Sequence, residues 1–202
     1  MRMSDVLRQL RQQHSTVDAR PRLLDRYAMY LPLTDATPRI SLGEGYTPLI
    51  HARRLGRLIG CPLLHLKFEG TNPTGSFKDR GMVLAVAKAI EAGATTLMCA
   101  STGNTAASAA AYGAANGLEV VVVLPAGQIA LGKLLAAQFA GARVVAVDGS
   151  FDEALDVVRR LTEGGEAGRA VTLVNSVNPH RLAGQKTAAF EVCEDLGGVP
   201  DY

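Results

Sequence analysis

The chain has 202 residues, 48% of them hydrophobic, enough apolar material for one good core or two small lobes. Its 21 Lys and Arg nearly balance 19 Asp and Glu, which gives no electrostatic case for a nucleic acid or an anionic membrane as partner and leaves small charged ligands open. Three cysteines, Cys61, Cys99 and Cys193, are far apart and odd in number, so neither a zinc site nor a disulfide framework is expected and a reducing compartment is.

Residues Met3–His14 can form an amphipathic helix, but Val6, Leu7 and Leu10 do not make a signal-peptide core, and no apolar run approaches a membrane span. The expected location is cytoplasmic. His14, His51, His65 and His180 are scattered, and structural or surface roles are the default for each. Pro21 with Arg22–Tyr30 begins a second helix, closed by Pro32. Ile40–Leu49, ISLGEGYTPL, breaks into turns at Gly43 and Gly45 and becomes extended before Pro48; on local physics it is a plain loop.

From Pro62 the punctuation becomes regular. A strand is predicted over Leu63–Phe68, then a loop of Gly, Asn, Pro, Thr and Ser, then an apolar helix over Met82–Ile90 ended at Gly93. Strands follow at Thr95–Cys99, Glu119–Leu124, Arg143–Val147 and Ala170–Val174. They alternate with helices at Asn104–Asn116, Ile129–Ala140 and, behind an S-x-x-E capping box at Ser150 and Glu153, through Leu161. A last helix spans Arg181–Leu196. The alternation predicts an α/β fold, a parallel twisted sheet with helices on both faces. Ligands of such sheets sit at the carboxyl ends of the strands, which puts Ser101–Thr105, Pro125–Gln128 and Asn175–Pro179 on one rim.

Lys78 stands where the polar loop meets the apolar helix. A cation in a helix's first turn opposes the macrodipole, and that field, with partial burial, lowers an amine's pKa, as Schiff-base chemistry requires. The alternative is a solvated cation at a helix end. Ser101, Thr102, Asn104 and Thr105 crowd one helix mouth, where hydroxyls and free N–H groups face an anion, although a single residue suffices for an ordinary N-cap. Asn175, Ser176 and Arg181 make either a second anion site, with a guanidinium suited to phosphate, or an Asn-Pro turn with a solvated arginine. No P-loop, no Rossmann fingerprint and no Ser-His-Asp constellation can be assembled.

Together, KFEGTNPTGSFKDRG, ASTGNTAASAAAYG and NSVNPHRLAGQKT resemble the fold type II pyridoxal-phosphate enzymes, tryptophan synthase beta-like in fold, and within them look most like the threonine synthase family. SLGEGYTPLI resembles that family's GEG-x-TPL entry loop. The resemblance implies that Lys78 carries pyridoxal 5'-phosphate and shuttles protons, that Asn104 contacts the cofactor's 3-hydroxyl, and that Ser101, Thr102 and Thr105 hold the amino-acid carboxylate. It places Lys133, Asn175, Ser176 and Arg181 around the phosphate of O-phosphohomoserine, which is converted with water to threonine and phosphate. A serine/threonine dehydratase of the same fold, or a non-catalytic ligand-binding fragment, are the alternatives. The implied organisation is residues 1–62 as the first part of a large cofactor domain, 63–174 as a small substrate lobe that closes over its ligand, and 175–202 as the start of the large domain's remainder. The large domain is expected to be incomplete, since the family's glycine-rich phosphate loop has no counterpart here, and a homodimer is expected at full length.

Overall fold

A computed structural model of the chain describes residues 20–126, 131–163 and 170–201. The helix expected at Met3–His14 and the loop position Gln128 lie outside them. Where one helix is expected over Arg22–Tyr30, the chain makes a short helix α1 (Leu23–Arg26) and a 3-10 turn at Ala28–Tyr30. Tyr27 interrupts them with φ −110° and ψ 21°, and Leu31, held extended before Pro32, ends the segment.

The Gly43 to Pro48 segment leads into β1 (Leu49–His51). Helix α2 (Arg53–Leu58) then turns the chain back to β2 (His65–Lys67), which pairs antiparallel with β1 and sets His51 opposite His65. This pairing crosses the lobe boundary expected between residues 62 and 63.

Helix α3 (Lys78–Glu91) begins four residues before its predicted start, so Lys78 is its first residue. Hydrophobic periodicity does not register a first turn made of Lys, Asp and Arg. That turn is organised by polar contacts instead. Ser76 Oγ accepts from the Lys78 N–H at 3.3 Å, and Asp79 accepts from the Thr74 N–H at 2.7 Å.

The predicted parallel sheet follows: β3 (Thr96–Ala100), helix α4 (Asn104–Ala115), β4 (Glu119–Pro125), helix α5 (Leu131–Phe139), β5 (Arg143–Val147), helix α6 (Phe151–Glu163) and β6 (Val171–Leu173). The strand order is β5-β4-β3-β6, every pair parallel. Because successive strand residues face opposite ways, Leu97 and Cys99 join the core under α3 and α4, while Met98 and Ala100 pack with Ala154 and Val158 of α6. The capping box forms as predicted, with Ser150 N–H donating to Glu153 Oε2 at 2.6 Å and Glu153 N–H to Ser150 Oγ at 3.3 Å.

The expected Arg181–Leu196 helix is two: α7 (Pro179–Gln185) and α8 (Thr187–Leu196), separated at Lys186. Thr187 Oγ1 donates back to Gly184 O at 2.7 Å at this break. Helices α7 and α3 cross with backbones nearly touching. A Cβ added at Gly184 would lie 2.3 Å from Arg80 O, and one at Gly81 would lie 2.6 Å from Arg181 O.

Candidate active site

The Lys78 amine is half-buried, with Nζ 4.5 Å from the centroid of the Phe77 ring. Burial first, and then the charge of Arg181, holds its pKa below the ordinary amine value. The helix terminus acts in the same direction. Among the described residues the amine forms no hydrogen bond, whereas the two residues after it are fully buried and heavily bonded. Asp79 accepts from Thr74 Oγ1 and from Ser108 Oγ of α4, each at 2.6 Å.

Arg80 points the other way and is held by two carboxylates. Nε and Nη2 donate to Glu69 at 2.7 and 2.9 Å, and Nη1 and Nη2 donate to Glu191 at 2.9 and 2.7 Å. Thr47 Oγ1 accepts a further bond from Nη2 at 3.0 Å, and Lys67 reaches Glu191 at 3.1 Å and Asp195 at 2.9 Å. Burial alone would raise the Glu191 pKa, but hydrogen bonds from Arg80 and the Tyr46 N–H outweigh it and lower the value to about 2. The paired carboxylates likewise keep Arg80 above the ordinary guanidinium value despite its burial.

At the mouth of α4, Ser101 Oγ accepts from the N–H groups of Gly103 and Ala106 at 3.2 and 3.3 Å. The capping reading of this loop is therefore realised, by Ser101. Its hydroxyl proton is still available to donate to an anion. Thr102, Asn104 and Thr105 are partly exposed beside it. The whole helix is fastened through Ser108 to Asp79 and, one turn on, through Tyr112, whose hydroxyl donates to buried Glu44 at 2.6 Å. Burial and the Glu44 carboxylate keep that phenol well above its ordinary pKa. This contact gives the GEG loop a physical role that its local sequence does not disclose.

Beyond β6, Asn175 continues the sheet with its side chain. Its Oδ1 accepts from the Ala100 N–H at 2.9 Å and its Nδ2 donates to Ala100 O at 2.8 Å, leaving one amide proton for a ligand. Ser176 is exposed, and Asn178 caps α7 by accepting from the His180 N–H at 2.9 Å. Arg181 is not the solvated arginine of the alternative reading. It is fully buried, donates through Nη1 to Val174 O at 2.7 Å, and has no hydrogen-bond partner at Nε or Nη2 among the described residues. Burial holds its pKa below the ordinary guanidinium value, opposed by the charges of Cys99 and Asp79.

Lys78, the loop after β3, Asn175 and Arg181 are thus gathered at one end of the sheet. Lys133 falls in α5, and its side chain lies outside the described residues. Sequence reasoning does not reach Ser108, Tyr112, Glu44 or Arg80. The signals were a hydroxyl and a phenol one turn apart in an alanine-rich helix, and an acid beside the lysine. Among the described residues no helix is long and apolar enough to cross a membrane, and no group of three or more His, Cys, Asp or Glu could hold a metal ion.

The sequence profile of the family described as pyridoxal-phosphate dependent enzyme matches residues 40–202. A threonine synthase of Halalkalibacterium halodurans is 56% identical over 179 residues, covering 89% of this chain and 49% of the relative. A threonine synthase of Methanocaldococcus jannaschii is 51% identical over 177 residues, covering 87% of this chain and 43% of the relative. Among solved structures, a bacterial-type threonine deaminase matches with a TM-score of 0.65 at 34% identity, covering 89% of this chain and 54% of the other. An Escherichia coli diaminopropionate ammonia lyase matches with a TM-score of 0.69 at 20% identity, covering 82% and 48%, a likeness of fold alone. The chain spans about half the length of the threonine synthases it matches.

Proposed function

The chain belongs to the pyridoxal-phosphate dependent enzyme family, and we propose that it carries the lysine and the substrate-binding loops of a threonine synthase, which converts O-phosphohomoserine and water to threonine and phosphate. The observation that carries this reading is the buried Arg181, with two unpaired N–H groups, acting on a half-buried Lys78 amine. An amine poised for a carbonyl and a desolvated cation in one site suit a phosphorylated amino-acid substrate.

The groups present fit pyridoxal phosphate at its reactive end. Lys78 is an amine whose charged form is disfavoured, and Asn104 offers an amide at the adjoining helix mouth for the 3-hydroxyl. When bound, the cofactor supplies an electron sink for a carbanion at the substrate's α carbon. Lys78 Nζ would take the Cα proton and return protons later. Ser101, Thr102 and Thr105 would hold the carboxylate at the N-terminus of α4. Asn175, Ser176, Lys133 and Arg181 would bind the phosphate and stabilise its departure. We take the parallel sheet and its helices, within residues 63–174, as the substrate lobe, with β2 at its edge paired to β1.

The test is a two-substrate assay on the full-length protein containing this chain. Phosphate release from O-phosphohomoserine is expected. Ammonia and ketoacid from threonine without that release would instead establish the dehydratase reading, which the 34% identity to a threonine deaminase keeps in view. Lys78→Ala should abolish both the activity and the borohydride-fixed cofactor adduct. Retention of either removes Lys78 from the chemistry.

A further inference from the structure

Asp79 follows the candidate lysine directly and has no solvent exposure. Its carboxylate accepts three short hydrogen bonds, from Thr74 N and Thr74 Oγ1 in the loop before α3 and from Ser108 Oγ in the body of α4. All three donors are uncharged. A buried carboxylate satisfied this way contributes geometry more than net stability, because every donor must stay in place to offset its desolvation. Ser108 is itself fully buried within a run of alanines, where a hydroxyl is costly unless it is bonded.

We propose that Asp79 is a positioning residue for Lys78, fixing the lysine's turn against both the preceding loop and the helix whose mouth is Ser101–Thr105. The inference rests on the reading of Lys78 as the cofactor lysine. Arg80 anchors the opposite side of the turn to Glu69 and Glu191, so the first turn of α3 is held on two sides. Lys78 alone in that turn keeps an amine without a hydrogen bond among the described residues. Loosening the Asp79 side should let the amine reach water, away from Arg181, and regain its proton more readily.

Competitive acetylation of the 202-residue chain, read at Lys78 by mass spectrometry across neutral to alkaline pH with Lys186 as internal reference, tests this. Ser108→Ala should move the Lys78 profile to higher pH and lower its labelling near neutrality roughly threefold, the equivalent of about half a pKa unit. Lys186 should not change. Ser108→Thr, which keeps the hydroxyl, should restore the parent profile, and Asp79→Asn should reproduce the shift. An unchanged Lys78 profile in Ser108→Ala, with or without a lowered thermal midpoint, overturns the proposal and leaves Ser108 a packing residue. Failure of the underlying reading is seen separately, as a parent chain with no borohydride-fixed pyridoxal phosphate at Lys78, while the acetylation comparison still reports on the turn.

Discussion

Arg181 holds one hydrogen bond and two unsatisfied N–H groups in a fully buried position. Each unpaired buried group costs about 1–3 kcal/mol, and a stability-driven sequence would replace such an arginine with an apolar side chain of similar length. Its retention is intelligible if an anion completes the hydrogen bonding. Arg181→Met should therefore raise the thermal midpoint, or leave it unchanged, in anion-free buffer, since it removes a desolvated charge. The same variant should lose the stabilisation that added inorganic phosphate confers on the parent. Differential scanning fluorimetry with and without phosphate reads both effects. A sharply destabilised variant, or phosphate protection that survives the substitution, would make Arg181 a structural cation.

At the scale of elements, the crossing of α3 over α7 brings Arg181 and Lys78 into electrostatic reach. It does so because neither helix carries a side chain where they meet. A Cβ at Gly184 would fall 2.3 Å from the carbonyl oxygen of Arg80 and 2.9 Å from Gly81 Cα, both backbone atoms that cannot swing aside. Gly184→Ala should cost about 1–3 kcal/mol or more, as overpacking does, measured as a lower urea midpoint at unchanged slope. If the variant matches the parent, the helices have room that their spacing denies. Elements of this kind also mark the limit of sequence reading. The sheet and its rim were legible because strand and helix ends are punctuated locally, by Gly117, Pro125, Gly141 and the Ser150–Glu153 box. The polar loops stood out against apolar neighbours. The start of α3 was not legible, since its first turn has no apolar period. Nor was the use of Asn175 as a continuation of β6 against Ala100, 75 residues away, because the choice of a distant partner leaves no periodic trace.

Across the whole molecule, the buried charges around Arg80 connect segments that are far apart in sequence. Arg80 and Glu191 are separated by 111 residues, and the same cluster draws in Thr47, Lys67 and Glu69. It therefore joins the entry loop, β2, α3 and α8. Glu191 is depressed from 4.5 to about 2, and Glu69 is lowered as well. Since the folded carboxylates bind protons less readily than those of the unfolded chain, their contribution is fully present above about pH 4.5 and is lost as pH falls toward 2. For Glu191 this amounts to about 3 kcal/mol. Unfolding midpoints measured along an acid series should fall steeply through that window in the parent chain. Glu191→Gln should lower stability at neutral pH by about 3–5 kcal/mol, because it strips Arg80 of one of its two carboxylates in a buried site, and should flatten the acid limb. Equal acid sensitivity in parent and variant would mean that the acid transition belongs to other carboxylates, and that the Arg80 cluster joins these four segments without governing when they come apart.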